Sequence, residues 1–411
     1  MSSPRAVLAA AVVAVAVAAA GCGSSKSLPH HTLTIAVNAP FSQSPSIGEA
    51  IAHGVQLAVD DVNDAGGLTT KNGVYTFKVV TLDNAFSPSK AVANMRSVAG
   101  KAAAVIDEGT GVDASWRIAD RSHTPVCIVY QGGNGLVDPA TRPNVFRIAP
   151  TDHGVAFRLA EYLIPKGLRI ALLHDDSGYG QQGHEALQSA FGHNPKSVAG
   201  DIELPTTATD LAPEIVRARR SNATALLVWG LPATIAKVLI AARSSGWNVP
   251  VYTPASGEDP LVRQELADHP SWVDGLTFAA GRMTAEGGPA PFMSFAQNVS
   301  KRFGLDYVGV RTSAGKRVVQ PPDYVMYPYD CMNVVLAAIK QVGSDDKKQV
   351  LAALNQVSTV GANGDSRGFN VENHEGVIDD DIYFARFHDM TYQPVKDDAL
   401  SATLPSIPQT G

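Results

Sequence analysis

Two stretches of this chain place residue types at spacings that could do chemistry. Glu108-Gly109-Thr110-Gly111-Val112-Asp113 joins an apolar strand pattern to a helical one. The free N–H groups of a helix start, with the helix dipole behind them, make a seat for a carboxylate, and Thr110 beside Gly111 adds a hydroxyl donor. The same run fits a relaxed dinucleotide fingerprint, but it follows the third strand and no acidic residue stands near position 130 to hold a ribose. Gly364-Asp365-Ser366-Arg367-Gly368 has the spacing of a hydrolase nucleophile elbow. An extended segment rather than a helix follows it, so the run reads as a turn. His30-His31 lacks spaced partners for a metal. No nucleophile with a base is left, so the chemistry implied is binding, with no catalytic residue, no cofactor and no metal ligand assigned.

The N-terminus says where that binding takes place. Arg5 precedes an apolar run from Val7 to Val17, and Ala18-Ala19-Ala20-Gly21-Cys22 closes it, which makes residues 1–21 a signal peptide. The run of about 15 apolar residues falls short of the roughly 20 that span a bilayer. Ala19-Ala20-Gly21-Cys22 resembles the bacterial lipobox, without its usual Leu at the Ala19 position, and implies a lipid on Cys22 after cleavage. Residues 22–31, opening Gly23-Ser24-Ser25, form a polar tether. The expected location is extracytoplasmic, anchored to the membrane through Cys22.

Composition narrows the reading further. Beyond Cys22 only Cys127 and Cys331 remain, too few for a disulfide framework; isolated cysteines in apolar runs are commonly buried thiols, while export also permits a bond between them. Stability must come from a core, and 45% hydrophobic residues over 411 positions support two domains. A net charge of −6 disfavours nucleic acid as a partner, and Arg311, Lys316 and Arg317 read as a solvated loop.

The elements that must position the candidate residues follow from periodicity. Apolar strand runs at 32–38, 76–82, 102–106 and 126–129 alternate with helical patterns at 47–63, 88–98 and 112–121. A second series has strands at 169–173, 198–203, 225–229, 250–252 and 276–278, with helices at 152–164, after Gly178 and at 232–244. Near-continuous apolar strands separated by helices mean parallel sheets covered on both faces, here two doubly wound α/β lobes. The last third offers helices at 291–302, 324–342 and 347–356 and strands near Phe369 and at 382–388, which must pack on those lobes. Residues 305–322 read as a surface loop and the chain after Pro394 as a disordered tail.

Several ordered motifs carry a family resemblance. Pro40-Phe41-Ser42, Ile47-Gly48-Glu49, the run Gly54 to Gly67, Asn144 to Asp152, Asp175-Asp176-Ser177-Gly178-Tyr179-Gly180, and Tyr329-Asp330 follow one another over nearly the whole chain. Together they resemble the type I periplasmic solute-binding proteins of the branched-chain amino-acid class. The resemblance implies two lobes joined by a three-stranded hinge. One comprises residues 32–148 and 281–356, the other 149–280 and 357–396, with 397–411 as a tail. It also implies a small polar ligand, an amino acid or related compound, taken in the interlobe cleft by clamshell closure, and an ABC transporter permease as partner. Tyr179 matches the family's cleft tyrosine, Gln131, Gly132 and Asn134 its second first-lobe loop, and Trp229 ends a strand at the cleft edge. Thr110 and Gly111 stand where the family holds a ligand carboxylate, with Gly111 replacing a common Ser. Ser46 joins them ahead of the first helix, and Glu258 lies near the family's acidic position with Asp259, the latter a natural helix cap. A lipoprotein sensor of a membrane receptor and a secreted α/β enzyme are the alternatives. An aliphatic amino acid, an amide or urea-like solute and a small carboxylate all stay open as ligands.

Overall fold

The computed structural model describes residues 28–281, 290–378 and 382–403, so the expected signal peptide, the expected lipid site Cys22 and the start of the expected tether lie outside the described residues. The first half of the chain forms β1 (His30–Ala39), α1 (Pro45–Asp64), β2 (Leu68–Thr69), β3 (Val74–Asp83), α2 (Pro88–Val98), β4 (Ala104–Asp107), α3 (Val112–Asp120), β5 (Val126–Ile128) and β6 (Val145–Arg147). They pair in the order β2-β3-β1-β4-β5-β6, parallel except for the short β2. Alternate side chains of the central strands enter two separate cores: Ile35 and Val37 pack with Ile51 and Val55 of α1, while Ala36 and Val105 pack with Met95 of α2 and Trp116 of α3. That two-sided burial is why these strands are apolar without interruption.

A second sheet repeats the design. α4 (Asp152–Leu163), β7 (Ile170–Asp175), α5 (Gly178–Phe191), β8 (Val198–Leu204), α6 (Ala212–Arg220), β9 (Ala225–Trp229), α7 (Pro232–Ser244), β10 (Val251–Thr253), α8 (Pro260–Glu265) and β11 (Thr277–Gly281) follow in order. Then come α9 (Ala290–Phe303), β12 (Tyr307–Arg311), β13 (Arg317–Val319), α10 (Asp323–Val342), α11 (Lys347–Leu354), β14 (Ser358–Val360), β15 (Ser366–Gly368), β16 (Ile382–His388) and β17 (Thr391–Pro394). The second sheet runs β17-β16-β11-β10-β9-β7-β8, with β16 and β17 antiparallel at one edge. The chain leaves the first lobe after β6, returns between β11 and α9, and leaves again between β15 and β16.

α9 and α10 complete the first lobe, burying Phe292, Phe295, Met326, Met332 and Val335 against it. Gly54 lets α10 approach α1, since a Cβ there would stand 2.3 Å from the Val325 carbonyl oxygen. Cys127 of β5 and Cys331 of α10 are joined in a disulfide that closes 204 residues. The Gly364 to Gly368 run is a hairpin turn: β14 pairs with β15, and Arg367 points inward to the buried Asp330 at 3.1 Å.

Two expectations fail. Residues 305–322 are not a surface loop but carry the β12–β13 hairpin, which buries Val308, Val310 and Val318 in the core of the second lobe. Its alternation is interrupted by Gly309 and diluted by charge, which hid it in the sequence. Residues 395–403, expected as part of a disordered tail, are packed: Val395 and Ser401 are buried, and Asp398 meets Arg158 at 3.1 Å.

Candidate functional site

In each sheet the strand order reverses once, between β1 and β4 and between β7 and β9, and the loops beyond the carboxyl ends of those strands are where an open parallel sheet binds ligands. Here the two sets of loops face each other across a cleft of about 1010 Å³. Ser46, Thr110, Gly111, Gln131 and Asn134 line it from the first lobe, and Tyr179, Gln182 and Asp259 from the second. Past Tyr130, Tyr179 and Ser256, which border both spaces, lies an inner cavity of about 70 Å³ walled by Tyr324, Tyr327, Asp152, Glu258 and Trp229. Eight of the nine expected residues therefore share one continuous space. Gly132 does not: it docks the start of α4, where a Cβ would stand 2.5 Å from the Asp152 nitrogen.

The first-lobe loop differs chemically from its expected form. Glu108 is fully buried; its Oε1 accepts from Thr110 Oγ1 at 3.1 Å and Gln131 Nε2 at 2.8 Å, and its Oε2 from Asn84 Nδ2 at 3.0 Å and the Thr110 N–H at 3.1 Å. Gln131 also donates to Thr110 Oγ1 at 2.9 Å. The Thr110 hydroxyl, expected to be a free donor, is thus committed to a carboxylate of the protein itself. Burial raises the pKa of Glu108, and that of Asp107 beside it to about 7. Gly111 sits at φ 74° with a hypothetical Cβ 2.9 Å from Pro88 Cα, so the glycine is required by the turn that starts α3.

On the second lobe, Ser177 caps α5 by accepting from the Gly180 N–H, which sets Tyr179 at the helix mouth facing the cleft. Trp229, wholly buried at the end of β9, lies against the same helix where Gly183 leaves room: a Cβ there would be 2.1 Å from Nε1. The Tyr179 and Trp229 rings are 6.0 Å apart at 48°. Burial, then the negative charge of Asp152, pushes the Tyr179 phenol above its ordinary pKa, so it stays protonated.

The inner wall is acidic. Asp152 Oδ2 and Glu258 Oε2 are buried with no hydrogen-bond partner among the described residues. Burial lifts Asp152 to about 7 against the pull of Arg147, and lifts Glu258 well above the usual range, with the charge of Asp323 adding to it. Asp259 is raised by burial as well, and caps α8 through the Leu261 N–H at 2.8 Å, as its position before Pro260 suggests. A buried carboxylate oxygen without a donor is costly, and a cation arriving with its own N–H groups removes that cost. Tyr130, Tyr324 and Asp152 were missed as cleft residues. The first lies two residues beyond β5 and could have been found by the strand-end rule, whereas Tyr324 and Asp152 open helices and carry no such signal.

The sequence profile described as "Periplasmic binding protein" matches residues 32–391. The chain belongs to the periplasmic binding protein family. As a periplasmic binding protein it is an extracytoplasmic solute-binding protein and not an enzyme. Solved structures share the two-lobed type 1 fold. A type 1 periplasmic binding protein from Bordetella pertussis is 20% identical with a TM-score of 0.76, covering 87% of this chain and 97% of its own. The branched-chain amino acid transporter substrate binding protein LivJ from Streptococcus pneumoniae, in complex with isoleucine, is 19% identical at 0.72, covering 88% and 98%. A solute binding protein of an ABC transporter from R. palustris, in complex with 4-hydroxybenzoate, is 14% identical at 0.69, covering 88% and 95%. No curated protein sequence matches the chain. No helix among the described residues is long and apolar enough to cross a membrane.

Proposed function

We propose that this periplasmic binding protein is the substrate-binding component of an ABC importer, tethered to the membrane by a lipid on Cys22. Its solute is small, polar and bears a cationic group: an amino acid or related compound. The observation that carries the ligand class is the acidic inner wall, where Asp152 and Glu258 present unpartnered oxygens beside the aromatic rings of Tyr130, Tyr179 and Tyr324. An ammonium offers three donors to such a wall, and the aromatic faces favour its positive charge. The isoleucine complex of the S. pneumoniae relative supports this class. An organic acid resembling the 4-hydroxybenzoate of the R. palustris protein would meet Glu258 and Asp152 head-on. Gln131, Asn134 and Ser46 at the mouth supply the polar contacts for the remainder of the solute.

Binding proceeds by rotation of the lobes about the crossovers, with no covalent step. Contacts across the cleft mark the closed form: the Tyr324 hydroxyl donates to the Ala255 carbonyl at 3.0 Å, and Ser46 Oγ to Asp259 Oδ2 at 3.5 Å. The solute favours that form by differential contact with both lobes. Permease subunits are the partners of the closed lobes, and nucleic acid is not one. Small-angle scattering of the protein, refolded to strip carried-over solute, tests the mechanism with a mixture of the protein amino acids. A fall in radius of gyration on saturation is expected, and no compaction despite a rise in melting temperature would refute the clamshell.

A further inference from the structure

On the second lobe, away from the cleft, β7, β8 and α5 bring together three side chains that solute binding leaves unused. His174 of β7 is 5% exposed, His184 stands on α5, and Asp201 lies on the edge strand β8. His184 Nε2 is 2.7 Å from Asp201 Oδ2 and His174 Nε2 is 3.7 Å from Asp201 Oδ1. The two imidazoles are stacked, with centroids 3.8 Å apart and planes within 8°. One ligating atom from each of the three residues lies within 4.8 Å of the others. A histidine–aspartate hydrogen bond accounts for His184 alone. It does not account for a second imidazole that turns its Nε2 to the same carboxylate while its own Nδ1 is buried without a well-formed hydrogen bond among the described residues.

We propose that His174, His184 and Asp201 form a binding site for a zinc ion or a similar borderline divalent transition metal. Two imidazole nitrogens and a carboxylate oxygen are a donor set that such ions favour, and the fourth position is left to water. Ligand atoms about 2.0–2.1 Å from a tetrahedral centre stand about 3.3 Å from one another. The two His–Asp distances above bracket that spacing. A metal lies in the plane of each ring that binds it, so the stack opens on loading. His184 makes that movement, because it stands on the helix surface while His174 is fixed in the sheet. Gln188 Nε2, 3.1 Å from His184 Nε2, and Glu203, held by Gln181 at 2.7 Å, supply the surrounding polar shell. The metal would pin the middle of α5, which carries Tyr179 at its N-terminal end, to β7 and β8.

The test needs no knowledge of the solute. Untagged, chelator-treated protein is titrated with Zn²⁺ by calorimetry beside His184→Ala, Asp201→Asn, and a His30→Ala/His31→Ala control that removes the other paired histidines. The expected result is about one zinc per chain, unchanged in the control and at least tenfold weaker in each site variant, as loss of even an outer-shell partner costs about 10–100-fold. X-ray absorption of the zinc-loaded wild type should show two imidazoles in the shell. Wild-type binding that is absent, lost only in the control, or undiminished in both site variants overturns the proposal. Circular dichroism of the site variants confirms that any loss arises in folded protein.

Discussion

Replacing Asp152 with Asn removes a carboxyl group that is 5% exposed and whose Oδ2 has no hydrogen-bond partner among the described residues. Burial raises its pKa from 3.8 to about 7, although Arg147 pulls in the opposite direction. A pKa raised on folding means the folded protein holds the proton more tightly than the unfolded chain. The stability this group contributes is therefore complete below about pH 4 and is lost as pH rises through about 7. At 1.36 kcal/mol per unit, the wild-type protein gives up about 4 kcal/mol across that window, and Asn, which does not titrate, gives up none. Urea unfolding of the ligand-free proteins near pH 4, 6 and 8 should show the variant gaining on the wild type as pH rises, by about 4 kcal/mol between the two ends, the Arg147 attraction being already contained in the pKa of about 7. At pH 8 the same variant should bind solute more weakly, since the counter-charge has gone. Stability differences that stay parallel across the pH range would refute the reasoning. They would show that Asp152 is as well solvated in the folded protein as in the unfolded one.

Tyr179→Ala should weaken solute binding about five- to thirtyfold by calorimetry, since an aromatic contact of this size is worth about 1–2 kcal/mol. Gly183→Ala should destabilise the second lobe by about 1–3 kcal/mol in urea unfolding, because its Cβ would overlap the Trp229 indole. Cys127→Ser/Cys331→Ser should cost about 2–5 kcal/mol in unfolding free energy, and thiol titration of the denatured wild type should find neither cysteine free. Arg367→Ala leaves the buried Asp330 without its counter-charge, with the Ala362 N–H at 2.7 Å still donating to it, at a cost of about 3–5 kcal/mol. The loss should be larger at pH 8 than at pH 5, because Asp330 already titrates near about 6 with its partner present.

The two sheets were legible because their strands are buried on both faces and so read as uninterrupted apolar runs: Ala225–Trp229 and the helix Pro232–Ser244 have the bounds their patterns suggest. The β12–β13 hairpin was not legible, since Val308, Val310 and Val318 gain their meaning only from the second-lobe core they enter. The cleft followed from the family resemblance, which supplied Tyr179, and it agrees with the rule that open parallel sheets bind at their strand ends, where Thr110, Gln131 and Trp229 stand. The commitment of Thr110 and Gln131 to Glu108 was hidden, because it depends on Asn84 and Glu108 meeting across separate loops. Of the acidic wall, Glu258 was expected from the resemblance but Asp152 was hidden: it reads as the first residue of a helix, and nothing local says that its second oxygen faces a cavity. The bond between Cys127 and Cys331 was left open by the sequence, as a separation of 204 positions carries no information on proximity. His174, His184 and Asp201 lie on three different elements and show no metal-binding spacing along the chain.

The central claim, that the interlobe cleft holds a solute by its cationic group, is tested most directly by a thermal-shift panel. Refolded protein beginning after Cys22 is screened against amino acids, amides, polyamines, sugars and organic acids, in parallel with Glu258→Gln. At 100 times the dissociation constant a ligand adds roughly 2.7 kcal/mol, enough to raise the midpoint by several degrees. The account predicts that rise for amino acids or related amines in the wild type, sharply reduced in Glu258→Gln. A rise with organic acids or sugars alone, or one indifferent to Glu258, would contradict it.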